Sequence, residues 1–284
     1  MSEIKGAFAT NDRDLVDFRS QPAEIAYGQM QTLLMSELRL YHYPIAVRFF
    51  FDQAEIAHFK SVCDEVESPI KPLTFCQWEI AARMQGKIVY GEMKDLSCKN
   101  ARYCFGWKEL DEAEAASHAK YTRDLDQSRR FTCSKPRLPA GLLGVAVAPL
   151  AKAEVFGGPS TVHFYCDPMQ AYHLAVDYMA ATDSHPLQTN ITMNSSACGG
   201  NVWTYLNRKF NMLPACSGSY TAGKTERSEV NVMIPGAEIG KVCRRLTERI
   251  ASQGSSSIVR PGDGFPGGDI CKNCPLIAFK RLGT

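Results

Sequence analysis

Five short apolar runs limit what this chain can fold into: HYPIAVRFFFD at 42–52, KIVYGE at 87–92, GLLGVAVAP at 141–149, STVHFYCD at 160–167 and VNVMIP at 230–235. Each is too short for a stable helix, is rich in β-branched and aromatic residues, and is bounded by Gly, Pro or Asp, so each reads as a buried strand. Helical spacing fills much of the rest. It predicts helices over 12–40 with a break near Pro22, over 53–66 and over 74–85, and in part over 102–119 with a break at Gly106. Further helices are predicted after Asp167-Pro168 and over VWTYLNRKF at 202–210. The clearest amphipathic pattern turns Ile239, Val242, Leu246 and Ile250 inward and Arg244, Arg245, Glu248 and Arg249 outward. Strands and helices alternate irregularly, which predicts an α/β or α+β fold with a mixed sheet flanked by helices. The predicted organisation is an N-terminal helical segment at 1–40, one main domain at 41–251, and a Gly/Ser-rich linker with a cysteine-containing tail at 252–284.

Lys and Arg exceed Asp and Glu by only two, so there is no chain-wide field to attract nucleic acid or an anionic membrane. The basic stretch from Ser128 to Arg137 reads as a solvated loop. No run of eighteen apolar residues could span a bilayer, and the N-terminus MSEIKGAFATNDRD lacks the apolar core of a secretory signal. The expected location is the cytoplasm, where eleven cysteines call for metal or redox chemistry rather than disulfides.

Gly218 to Thr225, GSYTAGKT, satisfies the phosphate-loop spacing, but such a loop needs a strand before it and a helix N-terminus after it. KFNMLPACS before Gly218 gives no convincing central strand, and only ERSE separates Thr225 from VNVMIP. The stretch is therefore expected to be a glycine-rich turn into the strand at Val230.

Periodicity assigns Cys63, Cys166 and Cys243 to apolar faces, and Cys133 has no partner at metal-ligand spacing. Seven thiols remain. Cys76 falls in the first turn of a helix capped by Thr74 and Gln77, where free amides and the helix dipole favour thiolate, and Ile80 and Met84 continue an apolar stripe from it. Cys98 and Cys104 form C-x5-C. Cys271 and Cys274 form C-x-x-C followed by Pro275, a spacing that lets two sulfurs reach one iron–sulfur cluster or zinc ion from a single turn. Cys198 and Cys216 each sit among small residues.

PIAVRFF, FCQWEIAARMQGKIVYGE with Cys98 after it, VHFYCDPMQAYHLA, SACGG, and PACSGSY leading to SEVNVMIP stand in an order that resembles domain-of-unknown-function family 169 of anaerobic bacteria and archaea. The resemblance runs from about Tyr43 to Pro235. It implies that Cys76, Cys98 and Cys198 occupy recurring motif positions and that Cys216 is a variant at a glycine-rich turn. It implies no reaction, and the Cys271/Cys274 pair lies beyond it.

The functional expectation is an iron–sulfur protein of anaerobic redox metabolism, an electron-transfer protein or oxidoreductase component. Cys98, Cys104, Cys271 and Cys274 would hold a 4Fe–4S cluster, while Cys76, Cys198 and Cys216 line the cofactor site. The expected partner is a redox protein or a small-molecule substrate, with neither nucleic acid nor membrane, and a homo-oligomer is left open. Two alternatives stand beside it. One is a zinc-stabilised binding or regulatory protein that uses the same thiolates. The other is a cysteine-dependent enzyme centred on Cys198, with His163, His173 or His185 as base.

Overall fold

The computed structural model describes residues 25–109, 112–182, 196–226 and 228–253. Cys271, Cys274 and His185, the start of the first predicted helix, and nearly all of the predicted tail lie outside the described residues. The helices are α1 (Tyr27–Glu37), α2 (Gln53–Val62), α3 (Phe75–Gln85), α4 (Lys99–Cys104), α5 (Glu112–His118), α6 (Leu125–Cys133), α7 (Pro168–Thr182), α8 (Ala197–Asn207), α9 (Ser217–Thr221) and α10 (Ile239–Gln253). The strands are β1 (Ile45–Phe50), β2 (Val66–Glu67), β3 (Ile88–Gly91), β4 (Gly144–Pro149), β5 (Thr161–Cys166), β6 (Asn211–Pro214) and β7 (Val230–Pro235).

The strands form one mixed sheet in the order β2-β3-β4-β1-β5-β7-β6. Only the β2–β3 pair is parallel. Both faces are covered, which is why the central strands are apolar throughout rather than alternating. Ala46, Phe50, Ala148, Val162, Phe164 and Ile234 face one core, shared with residues of α1, α2, α7 and α10. Ile45, Val47, Phe49, Val145, Val147 and Tyr165 face the other, built with residues of α3, α4 and α8. The pleat therefore hands alternate residues of β5 to opposite layers.

All five predicted strands are present, and the sheet is completed by two that the residues did not announce. KFNMLP contains β6, an edge strand that ends at Pro214, where the missing N–H is tolerated. The two-residue β2 closes the opposite edge. The basic stretch expected to be a loop instead begins inside α6, whose start is capped by the Asp124 carboxylate accepting from Gln127 N at 2.7 Å. The break at Gly106 is real. Its φ is +75°, and a Cβ there would meet the Leu138 carbonyl oxygen at 2.6 Å.

Arg249, expected to face outward, is 7% exposed. Its guanidinium donates to both Asp177 oxygens, at 2.8 and 2.7 Å, and ties α10 to α7. A buried bidentate partner offset the charge, so its place in an amphipathic pattern was misleading. Removing one member of such a pair strands the other charge, whereas replacing both is far milder. Arg249→Met alone should cost about 3–5 kcal/mol in urea unfolding, and adding Asp177→Leu should recover most of it.

Candidate functional site

Four of the seven singled-out thiols sit at helix starts on the α3/α4/α8 side of the sheet. Cys76 is the second residue of α3, and Cys198 is the second residue of α8. Cys98 and Cys216 are the N-cap residues of α4 and α9. Local chemistry explains these starts. The Gln77 side chain accepts from Thr74 N at 2.9 Å in the predicted capping box, and Ser196 Oγ accepts from Gly199 N at 3.1 Å.

Cys76 and Cys98 each feel both Cys198 and Cys216 electrostatically. Asn100, in the first turn of α4, donates from Nδ2 to Cys198 Sγ and to Ser196 Oγ, both at 3.2 Å. Ser219 in α9 donates to Cys76 Sγ at 2.9 Å. Cys104 is fully buried and contacts the Cys198 thiol from behind. Of the C-x5-C pair, then, Cys98 is the N-cap of α4 and Cys104, its last residue, lies against Cys198. Among the described residues no three His, Cys, Asp or Glu side chains are grouped so as to hold a single metal ion.

Gly199 and Gly200 in SACGG let α8 approach closely. A Cβ on Gly200 would stand 2.6 Å from Leu213 Cδ1 and Met233 Cε, which fixes the distance of α8 from β6 and β7.

Cys76, Cys98 and Cys198 are biased toward the protonated thiol. Burial, followed by the Glu79 carboxylate and neighbouring thiols, raises Cys76 well above the ordinary thiol range. Burial brings Cys98 to about 11, opposed by hydrogen bonds from the Ala101 and Asn100 amides. The Cys104 contact, then burial, raises Cys198. All these shifts follow from placing a would-be anion in a low-dielectric layer beside other acidic groups.

Beneath the thiols lies a buried polar network that sequence reasoning missed. Glu79, fully buried one turn after Cys76, faces His163 Nδ1 at 2.6 Å and accepts from the Tyr165 hydroxyl at 2.7 Å. Asn201 in α8 donates to the same carboxylate at 3.4 Å and to the Ala197 carbonyl at 2.9 Å, while its Oδ1 accepts from Thr161 at 2.6 Å. On the far side His163 Nε2 meets Asn231 Oδ1 at 2.9 Å, and Asn231 Nδ2 donates to the Pro214 carbonyl at 3.2 Å. A carbonyl can only accept, so the amide orientation is determined and Nε2 of His163 carries a proton. His163, offered as a base for a thiol, instead serves Glu79. Burial and the Glu79 charge push the Tyr165 hydroxyl upward, keeping it a donor. The Arg83 guanidinium lies 3.9 Å from the centre of the Tyr165 ring and bonds Glu229 at 2.9 Å and the Lys224 carbonyl at 2.6 Å.

The apolar stripe Cys76–Ile80–Met84 is therefore misplaced. Met84 is 58% exposed, and the buried face of α3 carries Phe75, Trp78, Glu79, Ala82 and Arg83. Satisfied polar groups occupy positions that hydropathy reserves for apolar ones. The only sequence signal was a Glu and an Arg four residues apart in a helix otherwise destined for a core. The stretch at Gly218–Thr225 is also more ordered than expected. Gly218 lies within α9, and Lys224 Nζ donates to Thr74 Oγ1 at 3.1 Å, so its amides and its lysine serve the protein itself.

Two expectations follow. Glu79→Ala strands the His163 ring and the Tyr165 hydroxyl and should lower unfolding free energy by about 3–5 kcal/mol, with Glu79→Gln costing less. In metal-free protein at neutral pH, an alkylating agent should label the exposed Cys133 well before Cys76, Cys98 or Cys198, as followed by peptide mass spectrometry.

No curated protein and no solved structure matches the chain. The family described as Uncharacterised ArCR, domain-of-unknown-function family 169, matches residues 33–245. That span extends beyond the motifs at both ends, includes all five thiols of the site, and ends before the Cys271/Cys274 pair. The chain belongs to domain-of-unknown-function family 169.

Proposed function

We propose that the protein binds an iron–sulfur cluster, of the 4Fe–4S type, through Cys76, Cys98, Cys198 and Cys216, and serves cytoplasmic redox metabolism as an electron carrier or oxidoreductase component. The observation that supports this reading is the placing of four thiols at helix starts, with Cys76 and Cys98 each within electrostatic reach of Cys198 and Cys216. All-thiolate donor sets suit soft metal centres, iron–sulfur clusters and zinc among them. Structural zinc sites are commonly built from pairs of ligands two to four residues apart. Here the thiols arrive singly from four helix starts, which favours a wider cluster enclosed by the fold. The N-termini of α3 and α8 direct positive potential and free amides at the sulfurs, which favours a thiolate-ligated, net anionic centre. An incoming cluster would displace the thiol protons, so loading should release protons and strengthen as pH rises. The ligand set first read from spacing paired Cys98 and Cys104 with Cys271 and Cys274. The set proposed here takes Cys76, Cys198 and Cys216 beside Cys98 in place of Cys104, while Cys271 and Cys274 lie outside the described residues.

Anaerobically purified protein should be brown, with broad visible charge-transfer absorption and matching iron and sulfide contents. Cys76→Ser, Cys98→Ser, Cys198→Ser and Cys216→Ser should each lower both contents, while the double variant Cys271→Ser/Cys274→Ser retains them. A colourless protein with stoichiometric zinc would replace the cluster by a structural metal. Iron lost only from the tail variant would overturn these four thiols as ligand set.

A further inference from the structure

Across the first turns of α3 from Cys76 lies a cavity of about 420 Å³, in the range of small-ligand sites. Leu73, Trp78, Ile80 and Val89 give it an apolar wall, and Gln77 and Lys224 supply polar groups. At its rim Glu67 and Lys87 neutralise each other at 2.9 Å. Lys224 has no carboxylate partner among the described residues. Its one recorded side-chain bond is to Thr74 Oγ1, and two ammonium protons remain to donate. The lysine is also pre-positioned, because Arg83, itself buried, holds the Lys224 carbonyl at 2.6 Å. Gln77 spends its Oε1 on Thr74 and keeps its amide protons. The lining thus carries one uncompensated positive charge and spare donors beside an aliphatic surface.

We propose that this cavity binds a small carboxylic acid, its carboxylate on Lys224 and Gln77 and its apolar body against Leu73 and Ile80. An ammonium fixed by one neutral partner in a half-enclosed site recovers a charge-assisted hydrogen bond from a carboxylate that a neutral amide cannot match. Ligand and thiols share one loop: Ser219 bonds Cys76 at 2.9 Å, and Lys224 bonds Thr74, two residues before that cysteine, at 3.1 Å. The site rests on the cavity alone and does not depend on what the thiols hold.

The test is calorimetric titration of the full chain, with cluster or metal left as purified, using acetate, butyrate, hexanoate, benzoate and phenylacetate, each against its neutral amide. At least one acid should saturate with Kd of about 1 mM or tighter. It should bind at least about tenfold better than its amide, the scale of one charge-assisted bond. Lys224→Met should reduce that acid to the level of the amide, and Lys224→Arg should retain most of the binding. Ile80→Glu, on a half-buried position of the wall, should also abolish it and covers the case in which Lys224→Met fails to fold. Acids that fail to saturate, acid and amide binding equally, or a folded Lys224→Met that binds undiminished would each overturn the proposal.

Discussion

The Glu79 carboxylate is the point on which this side of the protein depends. It is fully buried and meets a histidine ring, a tyrosine hydroxyl and an asparagine amide drawn from two other elements. An ionisable group so enclosed is tolerated only when its lone pairs are filled, and here each donor is itself anchored. His163 is held by Asn231 of β7, and Asn201 by Thr161 of β5 and the Ala197 carbonyl. The network thereby sets α3 and α8 against the sheet. Those two helices carry Cys76 and Cys198 as their second residues, so the placing of these thiols follows from a polar cluster beneath them.

The strand positions were legible because both sheet faces are covered. Fully buried strands leave a continuous apolar run, and β1, β3, β4, β5 and β7 all show one. β6 and β2 were illegible for the complementary reason: at an edge a strand can be short, polar and closed by proline. Charged residues misled wherever the fold supplied a buried partner. Arg249 and Glu79 each occupy positions whose burial depends on groups far away in sequence, Asp177 and His163, so no local pattern could reveal it.

The candidate site was legible in its residue types but not in its grouping. Cys63, Cys166 and Cys243 are buried in the core as their periodicity implied, and Cys76, Cys98, Cys198 and Cys216 were retained. Spacing favours pairs that are near in sequence, such as Cys98 with Cys104. Folding instead joins residues at equivalent places in different helices. The shared feature was local and readable, namely small or capping residues around each thiol, yet it took the tertiary fold to bring the four starts together.

The stretch GSYTAGKT unites both halves of this picture. In a phosphate loop its amides and lysine would be spent on one nucleotide. Here Gly218 and Ser219 lie in α9, Ser219 steadies Cys76, and the Lys224 carbonyl engages Arg83, which lies over the ring of Tyr165 in the Glu79 network. One short segment is thus fastened to the Cys76 thiol, to the buried carboxylate network and to the wall of the neighbouring cavity. A shift of this segment by even part of a hydrogen-bond length would be felt at all three, since two of its anchors are charged or buried and cannot be left unpaired without loss. The phosphate-loop spacing is met without a nucleotide's geometry around it, and its lysine is fixed by Thr74 and, among the described residues, has no carboxylate partner.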